Sequence, residues 1–147
     1  GIRRNPQDDQ YADEVLGLDR FEELLPLTDY LVLALPDSPQ TRDIINADIL
    51  EKLNTSAMII NVGRGTAINE VDLADALNKG KIAAAALDTT KIEPLDTNSS
   101  LWMAKNCFIS AHDSAHSLLS LGRAFELFFQ NIKNIKNSDR VINLYSE

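Results

Sequence analysis

The sequence predicts an α/β fold in which helices cover both faces of a parallel sheet, and part of that sheet is expected to lie outside this chain. Four short apolar runs recur along the 147 residues, with helical patterns between them. Each run is continuously apolar, which is typical of strands buried on both faces. Strands that alternate with helices over short connections favour a parallel sheet. The runs are YLVLALP (30–36), AMIINVG (57–63), IAAAALD (82–88) and CFISAH (107–112).

The chain opens on GIRRNP (1–6), which looks like the end of a strand whose beginning lies outside this chain. The sequence contains no Gly-x-Gly-x-x-Gly loop. A doubly wound sheet has its first strand near the centre, so without that strand the sheet should show a gap or an exposed edge.

Two helices are marked by their end residues. NADILEKL (46–53) opens on a capping asparagine followed by an early aspartate. NEVDLADALNKG (69–80) starts on Asn69 and stops at Gly80, as helices with a left-handed final residue do. We expect Val71, Ala74 and Leu77 to share its inner face.

The C-terminal part carries one apolar stripe with spacings of 3, 4, 3, 4 and 3, typical of a long helix. Its members are Leu118, Leu121, Phe125, Phe128, Ile132 and Ile135. Packing across a domain is favoured over a coiled-coil seam, because two heptads are too few for a seam. A short terminal strand or an ordered tail is expected after the helix. We expect residues 1–116 to form one functional part and 117–147 a helix and tail.

Composition narrows the possible partners. Fourteen basic against 22 acidic residues give a net charge of −8, which disfavours nucleic acid. No apolar run reaches the ~18 residues of a membrane helix. The single cysteine, Cys107, fits core packing and a reducing compartment, so a cytoplasmic location is expected. No zinc-like spacing joins His112 and His116, and no metal site is predicted.

Several motifs, in order and at characteristic spacing, resemble the nucleotide-binding region of the D-isomer-specific 2-hydroxyacid dehydrogenases. They are the Leu-Pro stretch LVLALPDSPQTRDIINADILEKL, the segment SAMIINVGRGTAINEVDLADALNKGKIAAAALD, and then EPL and ISAH. The resemblance covers residues 1 to about 136. It implies a Rossmann-like doubly wound sheet without its first strand and glycine-rich loop, followed by a long C-terminal helix.

The resemblance also implies an oxidoreductase that moves a hydride between NAD(P)H and a small 2-oxo acid or D-2-hydroxy acid. Arg64 of NVGRG corresponds to the arginine that binds the substrate carboxylate. A guanidinium suits this role because it is planar, always charged, and offers paired donors to the two carboxylate oxygens. His112 of ISAH corresponds to the acid–base group, since imidazole serves both directions near neutrality. Glu93 of IEPL corresponds to the carboxylate that orients this ring. His116 has no catalytic counterpart and is expected in a loop or at a helix start, with a role in substrate choice as the alternative.

Cofactor contacts are implied in the same way. Asp88 corresponds to the acceptor of the nicotinamide carboxamide, Leu35 and Pro36 to the loop along the adenosine, and Val62 and Gly63 to backbone beside the nicotinamide ribose. For Leu35, Pro36 and Val62, plain packing at strand ends is an equal alternative. Arg3 and Arg4 stand where NAD-preferring relatives carry an acidic residue, which favours NADP over NAD. A solvated arginine pair, offset by Asp8 and Asp9, is the alternative.

The sequence departs from the family pattern around two site residues. Residues 89–92 replace the usual aromatic and acidic residues after the aspartate, and no proline precedes His112. Asp113 offers a second carboxylate beside that histidine, or simply faces water. We expect a C-terminal fragment of an enzyme, inactive by itself and a homodimer in full-length form. A non-catalytic dinucleotide-binding sensor or corepressor, and a stand-alone small binding domain, are the competing hypotheses.

Overall fold

The computed structural model describes residues 1–143, and the chain divides into two compact units. The first unit is Gly1–Ala111, and the second begins at His112. The first contains both sheets and the short helices, and the second contains one long helix. The predicted functional division after residue 116 stays a prediction.

Every strand of the first unit pairs in parallel with its neighbour. The strands are β1 (Ile2–Arg3), β2 (Leu16–Gly17), β3 (Tyr30–Leu33), β4 (Met58–Asn61), β5 (Ala84–Leu87) and β6 (Cys107–Ile109). The last four form one sheet in the order β3-β4-β5-β6, while β1 pairs only with β2. All four predicted apolar runs therefore became adjacent parallel strands.

A gap separates the two sheets, as the sequence predicted. No ladder joins β1 to β3 within the described residues. An apolar cavity of about 410 Å³ lies there, lined by Gly1, by Ile2 of β1, and by residues of β3 and the segment after it.

The helices of the first unit are α1 (Phe21–Leu24), α2 (Ala47–Lys52) and α3 (Glu70–Lys79), and the predicted caps are confirmed. The Asn46 side chain accepts a hydrogen bond from the Ile49 N–H, and Asn69 accepts from the Asp72 N–H. Gly80 ends α3 with a φ of +68°, where a side chain would be strained. The segment from Leu16 to Leu27, with β2, α1 and two 3₁₀ turns, was not predicted.

The predicted inner face of α3 was wrong at one position. Val71 is 70% exposed, while Leu73, Ala74, Ala76 and Leu77 are buried. At 3.6 residues per turn, Val71 falls on the opposite side from the centre of these four.

Burial on both faces of the strands was also wrong. Leu33, Ile59, Asn61, Ala85 and Leu87 lie on one face and are all buried beneath the helices. The other face is partly open, since Tyr30 and Val32 on β3 and Phe108 on β6 are more than half exposed. β3 and β6 are the outer strands of this sheet, which leaves them the least covered.

The second unit contains α4 (Ser120–Lys136), and its apolar stripe lies largely on the surface. Leu118, Leu121, Phe125, Phe128 and Ile135 are all more than half exposed, and the packing of this stripe across a domain stays a prediction. Residues 137–143 form turns rather than the possible terminal strand, and residues 144–147 lie outside the described residues.

Candidate functional site

The loops that follow β3, β4 and β5 meet tightly around Arg64. A Cβ atom on Gly63 would lie 2.6 Å from the Leu35 nitrogen, and one on Gly65 would lie 2.0 Å from the Thr90 carbonyl carbon. Only glycine allows these approaches, so Arg64 is flanked on each side by a backbone contact with a neighbouring loop. This edge holds the carboxyl ends of the parallel strands, where open α/β sheets bind ligands.

Asn61, the last residue of β4, ties the same loops together and was not singled out from the sequence. Its side chain is fully buried. The carboxamide oxygen accepts from the Gly63 N–H at 3.0 Å, and the amide donates to the Arg64 carbonyl at 3.1 Å and to Thr89 Oγ1 at 3.3 Å. The available signal was a polar residue within the otherwise apolar run AMIIN.

The guanidinium of Arg64 is exposed, and its Nη1 donates to the Gly63 carbonyl at 3.1 Å. A second charged group lies close by. Asp37 accepts from Arg42 at 3.0 and 3.1 Å and from the Thr66 hydroxyl at 3.0 Å. The Arg42 contact, then Thr66 and the charges of Arg42 and Arg64, hold the pKa of Asp37 below its ordinary value.

Glu93 lies in the loop after β5, held by the same segment that contacts Gly65. Its Oε1 accepts from the Thr90 N–H at 3.1 Å, and its peptide bond to Pro94 is cis. Asp88, one residue beyond β5, is buried and accepts from the Ser110 hydroxyl at 2.7 Å. The Asn61 amide bonds both the Arg64 carbonyl and Thr89, and the next residue, Thr90, donates to Glu93. The loops of Arg64 and Glu93 are therefore connected through Thr89 and Thr90.

His112 is the first residue of the second unit. Its φ is +56°, a left-handed conformation in which histidine is enriched among non-glycine residues. The convergence of His112 with Arg64 and Glu93 stays a prediction. His116 lies in the turn before α4, where its N–H donates to the Asp113 carbonyl at 2.8 Å, consistent with the expected loop position.

The predicted cofactor residues differ in exposure. Arg3 and Arg4 are both exposed, and Arg3 Nη2 pairs with Asp9 Oδ2 at 2.5 Å. The Tyr11 N–H and then Arg3 hold the pKa of Asp9 below its ordinary value. Val62 is 43% exposed and Pro36 is exposed, and for both the cofactor contact stays a prediction beside packing at the strand ends. Leu35 is half-buried against Gly63.

Cys107 packs at the edge of the core, as predicted. It is half-buried at the start of β6, and this burial raises the pKa of its thiol.

Over residues 1–143, no group of three or more candidate ligands is placed to hold a metal ion. No helix in that range is both long and apolar enough to cross a membrane.

The sequence profile of the NAD-binding domain of D-isomer specific 2-hydroxyacid dehydrogenases matches residues 1–114. The chain belongs to this family. The human protein named glyoxylate reductase/hydroxypyruvate reductase is 39% identical over 109 residues, which are 74% of this chain and 33% of the human protein. Hydroxypyruvate reductase of Blautia hydrogenotrophica is 38% identical over 113 residues, 77% of this chain and 35% of that protein. The chain thus spans about a third of these curated relatives.

Solved dehydrogenases of the family share the fold. A D-isomer specific 2-hydroxyacid dehydrogenase from Xanthobacter autotrophicus Py2, in complex with NADPH and MES, superposes with a TM-score of 0.86 at 31% identity. It matches 99% of this chain and 60% of its own. An NADPH-dependent glyoxylate/hydroxypyruvate reductase from Sinorhizobium meliloti, in complex with NADP and sulfate, gives 0.86 at 27% identity, over 99% and 47% of the two chains. The predicted family and its Rossmann-like parallel sheet with flanking helices, present in part, are confirmed.

Proposed function

We propose that this chain is the nucleotide-binding part of an NADP(H)-dependent reductase of small 2-oxo acids. The observation that carries the proposal is the fixed Arg64 loop at the carboxyl edge of the sheet, joined through Thr89 and Thr90 to the loop of Glu93. The names of the similar reductases support glyoxylate and hydroxypyruvate as the first substrates to test.

Arg64 is suited to hold the substrate by its carboxylate. Its exposed guanidinium offers paired donors in one plane, which match the two oxygens of a carboxylate. Its backbone is fixed by two glycine contacts and by Asn61, so little motion has to be lost when the substrate binds. The same donors polarise the adjacent carbonyl and favour charge developing on its oxygen.

His112 completes the reaction as a proton donor. Reduction of the substrate forms a C–H bond at C2 and an O–H bond at the carbonyl oxygen. The nicotinamide cofactor, when bound, supplies the hydride. His112 gives the proton to the oxygen and takes it back during oxidation of the hydroxy acid. Glu93 is the proposed acceptor of a hydrogen bond from the imidazole, which would orient the ring.

Residues along the strand ends would bind the cofactor. Val62 and Pro36, which are both exposed, fit the ribose and adenosine surfaces, and Asp88 fits the carboxamide. Arg3 and Arg4 fit a 2′-phosphate, because both are exposed and lie at the end of β1, Arg3 as its last residue and Arg4 as the next one. The sequence supplies no glycine-rich loop for the pyrophosphate, so these residues hold only part of the cofactor.

The test is an assay of the full-length gene product. NADPH and NADH oxidation are measured with glyoxylate, hydroxypyruvate, pyruvate and phosphohydroxypyruvate. Turnover of at least one 2-oxo acid, faster with NADPH, is expected, and His112→Gln should lower kcat about 10²–10⁴-fold. Tight nucleotide binding without turnover of any 2-oxo acid would contradict the proposal and favour the sensor.

The proposal includes a cytoplasmic homodimer without nucleic-acid or membrane partners. The exposed apolar stripe of α4 and the net charge of −8 support it. Sedimentation of the full-length gene product should give twice the monomer mass, and a monomer at micromolar concentration would contradict this part.

A further inference from the structure

Asn61 occupies a place where an apolar side chain would be expected. It lies on the buried face of β4, opposite Leu33 on β3 and Leu87 on β5. A buried amide is costly unless its polar atoms are bonded, and here the carboxamide oxygen and nitrogen both have partners.

The hydrogen bonds of Asn61 define its orientation and exclude close substitutes. The Gly63 N–H is only a donor, and the Arg64 carbonyl is only an acceptor. The side chain must therefore present one acceptor and one donor to backbone groups on opposite sides of the same loop. An aspartate has the same shape, but its second oxygen would face the Arg64 carbonyl without a proton between them.

The third hydrogen bond of Asn61 reaches the next loop. Its amide donates to Thr89 Oγ1, and the neighbouring Thr90 N–H donates to Glu93 Oε1. One buried carboxamide thus bonds the backbone of Arg64 and the segment that holds Glu93. Gly65 packs against Thr90 at the same place, which leaves the two loops no room to slide.

We propose that Asn61 is a positioning residue that sets the Arg64 guanidinium relative to the Glu93 loop. The inference rests on the proposed function, and it adds a residue that touches neither substrate nor cofactor. Since reaction rates are sensitive to displacements of about 1 Å, loss of this link should weaken use of the substrate carboxylate and leave nucleotide binding intact.

The experiment compares Asn61→Asp with Asn54→Asp in the full-length gene product. Asn54 lies near the other end of β4, and its amide also donates to a backbone carbonyl, that of Thr28, at 2.6 Å. Both changes replace a donating amide group by an oxygen without changing side-chain shape, but only Asn61 lies at the site. We measure KM for glyoxylate, KM for NADPH, kcat and the melting temperature of each variant.

Asn61→Asp should raise KM for glyoxylate roughly 10–100-fold and leave KM for NADPH within about twofold. Asn54→Asp should lower the melting temperature and change neither KM by more than about twofold. Parallel changes of both KM values in Asn61→Asp, or an unchanged KM for glyoxylate, would overturn the inference.

A second variant applies if Asn61→Asp fails to fold. Thr89→Val removes only the third hydrogen bond at nearly constant volume, and it should raise KM for glyoxylate about threefold or more while KM for NADPH stays constant. An unchanged KM for glyoxylate in this variant overturns the inference. A wild-type protein that reduces no 2-oxo acid overturns the proposed function and the inference together. If the wild type is active, the proposed function stands, and the variants then test the inference about Asn61 alone.

Discussion

Gly65 lies against Thr90 so closely that any side chain on the glycine would occupy the space of the threonine backbone. A Cβ atom there would be 2.0 Å from the carbonyl carbon and 2.2 Å from its oxygen. The contact joins the loop of Arg64 to the loop of Glu93, and the backbone at Thr90 cannot yield as a flexible side chain would.

We expect Gly65→Ala to destabilise the chain, by about 1–3 kcal/mol, because the two loops must separate to admit the methyl group. Gly122→Ala is the matched control. Gly122 lies within α4 with nothing within 4 Å of an added Cβ, and alanine favours a helix by roughly 0.5–1 kcal/mol. Urea unfolding measures the free energy of unfolding of each variant. Equal free energies for Gly65→Ala and Gly122→Ala would contradict the close contact between Gly65 and Thr90.

Arg64→Lys should lower kcat/KM for glyoxylate at least about 30-fold in the full-length gene product. An ammonium keeps the charge but cannot replace the paired planar donors of a guanidinium, and a lost hydrogen bond to a charged group costs about 1.5–3 kcal/mol. Arg20→Lys is the control, since Arg20 pairs with Glu23 on the surface. Steady-state kinetics measure kcat/KM for glyoxylate of both variants. Comparable values for Arg64→Lys and Arg20→Lys would contradict the role of Arg64.

Arg3 should set the preference for a 2′-phosphate, and Asp9 should weaken it. Arg3→Ser is expected to raise KM for NADPH about tenfold or more with little change for NADH, because one charged donor is lost. The Asp9 carboxylate pairs with Arg3 and therefore competes with the phosphate for this guanidinium; the Tyr11 N–H and Arg3 hold its pKa below its ordinary value. Asp9→Asn should therefore lower KM for NADPH. Equal effects of Arg3→Ser on both nucleotides would contradict the assignment.

The thiol of Cys107 should react slowly and only at high pH. Burial, and secondly the charge of Glu70, raise its pKa. The thiolate is the reactive form, so the alkylation rate of the folded chain should rise with pH through a midpoint above the ~8.5 of an ordinary thiol. Iodoacetamide labelling of folded and denatured protein across pH 7–10.5 tests this. A folded midpoint at or below that of the denatured chain would contradict it.

Local sequence determined the four strands β3 to β6, the helices α2 and α3, and the caps of these two helices. An asparagine at 46 or 69 bonds a backbone group three residues ahead, and Gly80 accepts a left-handed φ, whatever lies elsewhere in the chain. The site residues Arg64, Glu93 and His112 were named from motifs, and their convergence stays a prediction.

Tertiary structure alone decided which surfaces are covered and which loops touch. Val71 fits an apolar helix pattern, but the core meets the opposite side of α3. Tyr30 and Val32 belong to an apolar run, yet β3 is an outer strand with one open face. The contacts of Asn61 with Thr89 and of Gly65 with Thr90 join residues more than twenty positions apart. Such contacts depend on which strands become neighbours in the sheet, and the residues of one strand alone do not specify its neighbours.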